Sequence, residues 1–300
     1  MSYVDNPRIV RLVKDTLIED IGKGDITTRY FVPRKINSGA VIIARERGIA
    51  CGINIAGLVF KCADKRIRFL PAVKEGGRIT KGKILARLWG PAGRILSAER
   101  TALNFLGLLC GIATRTDKFV RMTGRYKVKI LDTRKTIPGL RELEKYAVRI
   151  GKGYNHRFTL GEMAIIKDNH IKIRDKLADG DIGGVIKKLR KKTRGKIKIE
   201  VEVKNFKEFR RAVEAGPDII MLDNMAPREV ARAVKFQKKY ASRRVRQIKT
   251  EVSGNINIAN IRSYAACGID FISLGTLTKD IQSLDIALEL TGSNLNWRKR

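Results

Sequence analysis

The residues best suited to chemistry lie in one stretch near the middle of the chain, which also contains both histidines. Arg134 and Lys135 follow a short apolar segment, His156 and Arg157 lie in a polar loop, and Lys167 follows a second apolar segment. Forked guanidinium groups bind carboxylate or phosphate through two parallel hydrogen bonds. These cations therefore favour a ligand with several negative charges. The alternative is a set of solvated loop charges.

The elements that position these residues follow a regular pattern from residue 127 onward. Short apolar strands alternate with helical segments, which is typical of a parallel α/β barrel. In such barrels the strands end at one face, where residues distant in sequence meet and form the active site. A complete barrel has eight strands. The strands predicted here lie near 128–131, 163–166, 197–203, 218–222, 248–252 and 269–274.

The first part of the chain has a different organisation. Residues 1–20 form an amphipathic helical pattern, and short apolar runs such as Ala40–Ala44 follow as far as Leu88. We expect an N-terminal α/β sandwich domain over 1–112 and a barrel over 113–279. A final helix over 280–300 is expected to return to the first domain.

Composition limits the class of protein. The chain has 300 residues, 43% of them apolar, which is enough for two folded domains. No apolar run approaches the roughly 18 residues of a membrane helix, and the N-terminus lacks the apolar core of a signal peptide, so we expect a cytoplasmic protein. The four cysteines form no Cys-x-x-Cys pair, and with two histidines no zinc site is predicted.

The net charge of +33 arises from 63 basic against 30 acidic residues. Eight of the twelve residues from Lys187 to Lys198 are basic, so non-specific binding of nucleic acid at low salt is expected. Zinc-finger spacing, basic-zipper heptads and aromatic-rich basic strands are missing from the sequence. Adaptation to a salty or hot cell interior, or compositional drift, is favoured over a second function.

Several motifs together resemble a known family. In the central stretch they read DTRKT, PGLR, KYAV, NHR and IKDNH. Further matching segments cover practically the whole chain, at 19–28, 99–104, 111–114, 200–203, 221–224, 253–256 and 273–275. In this order and spacing they are similar to quinolinate phosphoribosyltransferase, also called nicotinate-nucleotide pyrophosphorylase. The resemblance implies an incomplete barrel and the decarboxylating transfer of phosphoribose from phosphoribosyl pyrophosphate to quinolinate, which gives nicotinate mononucleotide, pyrophosphate and CO₂ for NAD biosynthesis.

The resemblance also implies roles for individual residues. Arg134, His156 and Arg157 would hold the two quinolinate carboxylates, with Thr133 beside them. Arg100 would reach this site from the partner subunit of a homodimer or a higher even oligomer. The catalytic group would be Lys135, Lys167, Glu202 and Asp223.

Within that catalytic group, Lys135 and Lys167 would neutralise phosphate charge. Glu202 and Asp223 end neighbouring strands and would hold Mg²⁺, which helps pyrophosphate leave. The alternative for these two carboxylates is pairing with nearby lysines.

The ribose 5′-phosphate is assigned to the last two strand ends, where small residues expose backbone N–H groups. The residues are Ser253, Gly254, Asn255, Leu274, Gly275 and Thr276. Two positions depart from the family pattern. Lys279 replaces a usual histidine and is expected to contact the same phosphate, and Lys152 interrupts a usual triple glycine.

Two other functions remain open from the sequence. A related transferase of the same fold could use a different acceptor, such as the molybdenum-associated paralogues, because fold alone does not separate them. A nucleic-acid-binding protein derived from an inactive enzyme would explain the charge, but it should have lost some of Lys167, Glu202 or Asp223.

Overall fold

The computed structural model describes residues 3–167, 169–170, 173, 182–241 and 248–292. The chain divides into two compact units. The first consists of Met1–Asp117, Ile137–Lys152 and Asp280–Arg300, and the second of Lys118–Thr136 and Gly153–Lys279. The sequence predicted one break after residue 112. In the structure the first unit extends to Asp117, and the segment Ile137–Lys152 also belongs to it.

The first unit contains an antiparallel sheet of four strands in the order β12-β1-β5-β3, and a separate pair of strands, β2 and β4. The α/β sandwich predicted for this part of the chain is confirmed. With labels that run over the whole chain, its elements are α1 (Pro7–Ile21), α2 (Ile26–Phe31), β1 (Asn37–Ala44), β2 (Gly48–Ile49), α3 (Ile53–Ala63), β3 (Arg68–Pro71), β4 (Arg78–Ile79), β5 (Ile84–Pro91), α4 (Ala92–Met122, which ends in the second unit), α5 (Arg141–Ile150) and β12 (Ile286–Gly292).

Helix α1 shows how local sequence determines these elements. The Asn6 side chain accepts a backbone N–H of the first turn at 2.9 Å, and Pro7 occupies the first helical position, where a missing N–H costs nothing. Ile9, Val13 and Leu17 repeat every four residues and are buried. The predicted amphipathic helix therefore forms with one face in the core.

The C-terminal segment forms a strand, so the helix predicted over 280–300 is wrong for its described part. Strand β12 pairs antiparallel with β1, from Ile286 opposite Ala44 to Gly292 opposite Gly39. A short apolar run suits a helix or a strand equally well, and the choice depends on the available partner. Here the edge of β1 provides hydrogen-bond partners. Residues 293–300 lie outside the described residues.

The second unit is built on a parallel sheet of six strands in the order β6-β11-β10-β9-β8-β7. All six predicted strands are present within about two residues. Among the described residues, β6 and β7 form the two edges and do not pair, so the sheet is an open barrel as expected. The elements are β6 (Lys129–Leu131), β7 (Met163–Ile166), α6 (Ile182–Lys192), β8 (Lys198–Val203), α7 (Phe206–Ala215), β9 (Ile219–Asp223), α8 (Pro227–Ala241), β10 (Lys249–Ser253), α9 (Ile261–Ala265), β11 (Phe271–Ser273) and α10 (Thr276–Lys279).

Helix α4 is the one described helix whose length and composition would suit a membrane span. Its most apolar window is 67% buried inside the protein, as in the core helix of a folded domain. The sequence was expected to contain no segment of this kind, and α4 is one by length and composition.

Candidate active site

A cavity of about 820 Å³ opens at the carboxyl ends of the parallel strands in the second unit. It collects residues from β6, β7, β8, β9, β10 and β11 and from the loops that follow them. The predicted site residues that line it are Thr133, Arg134, Lys135, His156, Arg157, Lys167, Glu202, Asp223, Ser253, Gly254, Asn255, Leu274, Gly275, Thr276 and Lys279. Arg100 lies on α4 in the first unit, where it is exposed.

Two arginines bring positive charges close together in the cavity. Burial lowers the pKa of Arg157, and the nearby charge of Arg134 lowers it further, against a smaller opposing effect of Glu200. The Nε atoms of Arg134 and Arg157 are buried without a hydrogen-bond partner. Two neighbouring guanidinium groups repel each other in a partly desolvated site. A bound carboxylate would relieve this repulsion and accept their hydrogen bonds.

An ion pair also lies in the cavity wall. Nζ of Lys167 is 2.6 Å from Oε2 of Glu202. Asp223, at the end of the next strand, accepts a hydrogen bond from Nδ2 of Asn224 at 3.0 Å. The two carboxylates therefore belong to adjacent strands, as predicted, while one of them pairs with the cavity's own lysine.

The loop after β10 has a backbone conformation that favours glycine. Gly254 has a φ of +93°, and Asn224 and Asn255 have φ of +55° and +51°. Nδ2 of Asn255 donates to Oδ1 of Asn224 at 3.0 Å. A Cβ atom on Gly254 would lie 2.2 Å from that same oxygen. Gly254 is thus required both by its φ and by the close approach of Asn224.

The loop after β11 accommodates a lysine from the loop that follows β6. A Cβ atom on Gly275 would lie 3.0 Å from Cδ of Lys135, so the glycine leaves room for this side chain. Oγ1 of the buried Thr278 donates to the carbonyl oxygen of Lys135 at 2.7 Å. Lys279 ends helix α10 and lines the same cavity. Two lysines distant in sequence therefore lie near one glycine loop.

His156 is surrounded by protein groups. Its Nε2 atom lies 3.1 Å from Oε2 of Glu200 and 3.5 Å from Oε2 of Glu251, and both carboxylates are fully buried. Its Nδ1 atom accepts the backbone N–H of Arg157 at 2.8 Å. Burial, and then the charge of Glu251, raise the pKa of Glu200 to about 7, while His156 opposes the rise.

Lys152, the departure from the family's glycine pattern, has a φ of +67°. This left-handed conformation is the one that favours glycine. The neighbouring Gly151 cannot change, because a Cβ atom there would lie 2.4 Å from the carbonyl oxygen of Ala113. The lysine is therefore tolerated with strain, and its side chain is exposed.

Some lining residues were missed from the sequence: Ile165, Met221, Asn224, Glu251, Ile256 and Ser273. Asn224 could have been predicted as a lining residue, because it directly follows Asp223 at the end of a strand. No sequence pattern pointed to Glu251, because it lies before the strand end and resembles an exposed acidic residue in the sequence.

Cations, carboxylates and glycine loops at the carboxyl ends of parallel strands define an α/β-barrel enzyme that acts on anionic substrates. The quinolinate phosphoribosyl transferase C-terminal domain matches residues 112–289, and the N-terminal domain of the same family matches residues 25–110. The chain therefore belongs to the quinolinate phosphoribosyltransferase family, as its motifs predicted.

Individual relatives match this chain along most of their length. The probable nicotinate-nucleotide pyrophosphorylase [carboxylating] of Bacillus subtilis is 40% identical over 287 residues, which cover 96% of this chain and 95% of that protein. The quinolinate phosphoribosyltransferase [decarboxylating] 2 of Nicotiana glauca is 35% identical and covers 91% of this chain and 80% of that protein. The solved nicotinate-nucleotide pyrophosphorylase of Francisella tularensis matches with a TM-score of 0.85 at 38% identity, over 95% of this chain and 96% of that one.

Proposed function

We propose that this protein transfers phosphoribose from phosphoribosyl pyrophosphate to quinolinate and releases pyrophosphate and CO₂, giving nicotinate mononucleotide. The observation that carries this proposal is the pair Arg134 and Arg157, whose buried Nε atoms lack partners beside an open cavity. Quinolinate carries two adjacent carboxylates, which match two guanidinium groups better than a single carboxylate would.

The second substrate would occupy the glycine loops. Lys135 lies against Gly275, and Lys279 ends the helix that follows it. Gly254 and Asn255 both have positive φ, and turn backbone of this kind can present successive N–H groups to an anion. We assign this side of the cavity to the 5′-phosphate and expect Lys279→Ala to weaken affinity for phosphoribosyl pyrophosphate. Unchanged affinity would contradict the assignment of Lys279.

Mg²⁺ is the cofactor expected for this reaction, and the donors present suit it. Mg²⁺ prefers oxygen ligands and uses one or two protein carboxylates together with water and substrate phosphates. Glu202 and Asp223 would hold it, and the ion would stabilise the charge on the leaving pyrophosphate. In the substrate-free protein Lys167 partly balances Glu202.

The chain's own residues then orient the reactants. Arg134 and Arg157 would fix the pyridine ring so that its nitrogen, the nucleophile, faces C1′ of the ribose. The new N–C1′ bond forms as the bond to pyrophosphate breaks, and positive charge that develops on the ribose lies near fixed carboxylates. When the adjacent C–CO₂ bond then breaks, its electron pair stays on the ring carbon, where the positively charged nitrogen stabilises it until that carbon takes a proton from water.

We further propose a homodimer in which Arg100 completes the partner's site. The first unit exposes the apolar side chains of Ile18, Ile26, Tyr30 and Phe31, at 68% to 83% of their surface, and such patches commonly mark protein interfaces. Mixing inactive Arg100→Ala and Arg134→Ala subunits should restore about a quarter of the parent activity, because half the dimers would contain one intact site. No restoration after subunit exchange would contradict a shared site.

Acceptor preference tests the reaction itself. We expect turnover with quinolinate and little with nicotinate, which has one carboxylate. Arg134→Lys keeps the positive charge but removes the bidentate guanidinium group. This variant should raise the KM for quinolinate by roughly ten- to a hundredfold, which is the effect of losing one charged hydrogen bond. Equal use of nicotinate would instead favour a transferase with another acceptor.

The basic surface is proposed to bind nucleic acid only non-specifically in the cytoplasm. Its net charge of +33 is sufficient for attraction without a dedicated site. Affinity for duplex DNA should be independent of sequence and fall steeply with salt. Salt-resistant binding without any turnover would favour the inactive-enzyme alternative.

A further inference from the structure

The end of β9 and the loop after β10 are connected through asparagine side chains. Asn224 directly follows Asp223 at the end of β9, and Asn255 lies in the loop after β10. Both asparagines have positive φ, of +55° and +51°, a conformation that asparagine tolerates better than most residues. The backbone N–H of Asn224 donates to the carbonyl oxygen of Ser253 at 2.9 Å. The parallel pairing of β9 with β10 therefore continues as far as Asn224.

The side-chain amide of Asn224 contacts two parts of the cavity at once. Its Nδ2 atom donates to Oδ2 of Asp223 at 3.0 Å, and its Oδ1 atom accepts a hydrogen bond from Nδ2 of Asn255 at 3.0 Å. A Cβ atom on Gly254 would lie 2.2 Å from that same Oδ1 atom, so the backbone of the loop lies directly against the amide. One side chain therefore links a carboxylate proposed to hold Mg²⁺ with the loop assigned to the 5′-phosphate.

The hydrogen bonds continue from Asn255 along the loop before α9. Nδ2 of Asn260 donates to the carbonyl oxygen of Asn255 at 3.0 Å, and Oδ1 of Asn260 accepts the backbone N–H of Asn257 at 2.8 Å. Oδ1 of Asn257 accepts the backbone N–H groups of Ala259 and Asn260 at 2.9 and 3.2 Å. These bonds hold the loop from its far side, so Asn224 has a well-positioned partner in Asn255.

The neutral amide leaves Asp223 with its full negative charge. Among the residues that the structure describes, no lysine or arginine forms an ion pair with Asp223, whereas Nζ of Lys167 is 2.6 Å from Oε2 of Glu202. A lysine at position 224 would compete with Mg²⁺ for the carboxylate, but an amide donates a hydrogen bond without neutralising the charge. Asp223 is therefore the carboxylate of this pair that stays available to a cation before substrate binds.

We propose that Asn224 is a positioning residue that orients the Asp223 carboxylate for Mg²⁺ and couples the metal site to the 5′-phosphate loop. Removal of a group that hydrogen-bonds a metal ligand typically lowers metal affinity by roughly ten- to a hundredfold. Because the same amide contacts Asn255 and Gly254, phosphate bound at the loop should strengthen metal binding, and the metal should strengthen phosphate binding to the same extent. The inference rests on the proposed function, from which it takes the two ligands.

Metal binding is measured on the full chain without turnover, with Mn²⁺ as the probe and EPR as the readout of free ion. Asn224→Gly removes the amide but keeps a backbone suited to positive φ. It should raise the dissociation constant for Mn²⁺ about tenfold and leave the Tm within about 3 °C of the parent value. Unchanged Mn²⁺ affinity in this variant would overturn the positioning role.

Arg194→Gly is the matched control for the backbone change. Arg194 is an exposed turn residue with a φ of +51°, and it does not line the cavity. Its replacement should leave Mn²⁺ affinity within about twofold of the parent value, because an exposed charge outside the cavity is screened by salt. An equal loss in Arg194→Gly and Asn224→Gly would show that the amide of Asn224 is not the cause.

A double-mutant cycle tests whether Asn224 and Asn255 act together. Asn255→Gly removes the donor to Asn224 and should raise the dissociation constant for Mn²⁺ about threefold, since the direct contact with Asp223 remains. The double variant should bind Mn²⁺ no more weakly than Asn224→Gly alone, because the two side chains act through one hydrogen bond. An additive loss of about thirtyfold would contradict this link.

Ribose 5-phosphate tests the coupling of metal and phosphate, because it carries the 5′-phosphate but no pyrophosphate that could bind the metal directly. In the parent protein it should tighten Mn²⁺ binding about fivefold, and Mn²⁺ should tighten its binding equally. In Asn224→Gly both effects should fall below about twofold. Absence of coupling in the parent protein, or the same coupling in Asn224→Gly, would overturn the proposal.

These binding measurements contain no quinolinate, so their outcome is separate from that of the proposed reaction. If the parent protein shows the predicted coupling but does not use quinolinate, the acceptor is wrong and the positioning role stands. If the parent protein turns over quinolinate while Asn224→Gly keeps its Mn²⁺ affinity, the positioning role is wrong and the reaction stands.

Discussion

Lys167 and Glu202, which lie 35 positions apart in the chain, meet at the cavity wall with 2.6 Å between Nζ and Oε2. The lysine side chain is 46% exposed and the glutamate 9%. The contact joins the ends of two adjacent parallel strands. It therefore couples a proposed phosphate-binding cation to a proposed metal ligand before any substrate binds.

A double-mutant cycle in urea measures this coupling. Lys167→Met, Glu202→Gln and the double variant should give an interaction energy of about 0.5 to 1 kcal/mol, since the pair is only partly shielded from water. The Arg11 and Asp15 pair, exposed on both sides at 3.6 Å, is the control and should give a value near zero. Equal energies for the two pairs would show that the Lys167 contact does not persist in solution.

Gly254→Ala should damage the phosphate loop. Its φ of +93° and the contact of its added Cβ with Asn224 at 2.2 Å both oppose alanine. We expect a loss of about 2 to 3 kcal/mol in unfolding free energy and a higher KM for phosphoribosyl pyrophosphate. Gly82→Ala has a φ of +81° with no atom within 4 Å, so it isolates the backbone cost of about 1 kcal/mol. Equal losses would mean that the Asn224 contact is unimportant.

Lys152→Gly should stabilise the protein. Relief of the left-handed conformation gains about 1 to 2 kcal/mol, and the greater freedom of glycine in the unfolded chain offsets about half of this. The Tm should rise by about 1 to 3 °C for a chain of this size. Lys81→Gly, at an exposed turn lysine without a positive φ, should lower the Tm instead. A lower Tm for both variants would contradict the strain at Lys152.

The thiols should divide into two reactivity classes. Cys51 and Cys110 are fully buried, and burial raises the pKa of Cys110 to about 12. Burial also raises the pKa of the half-buried Cys62 and Cys267, but to a smaller extent. Because only the thiolate reacts, maleimide at neutral pH should label Cys62 and Cys267 slowly and the other two only after unfolding. Rapid labelling of four thiols, measured by intact mass, would contradict this burial.

Sequence patterns could predict most of the second unit. Its strands are buried runs, and their ends carry Lys167, Asp223 and Ser253, so the convergence of these tips follows from parallel barrel topology alone. The predicted lining residues consequently surround one cavity. Their individual roles depend on substrates and stay predictions.

Features that depend on distant partners could not be predicted. Glu200 and Glu251 look like ordinary strand acids, and their burial around His156 requires three separate segments to meet. The choice of a strand at Ile286–Gly292 depends on the edge of β1, which local periodicity does not reveal. The assignment of the segment 137–152 to the first unit is likewise a matter of long-range packing.

The most direct test of the central claim is the release of CO₂ and nicotinate mononucleotide from quinolinate and phosphoribosyl pyrophosphate. We predict turnover that requires Mg²⁺ and is lost in Arg134→Ala, because the quinolinate carboxylates then lose one of the two proposed guanidinium partners. Absence of turnover in the parent protein, with nicotinate or another acceptor used instead, would contradict the proposed substrate.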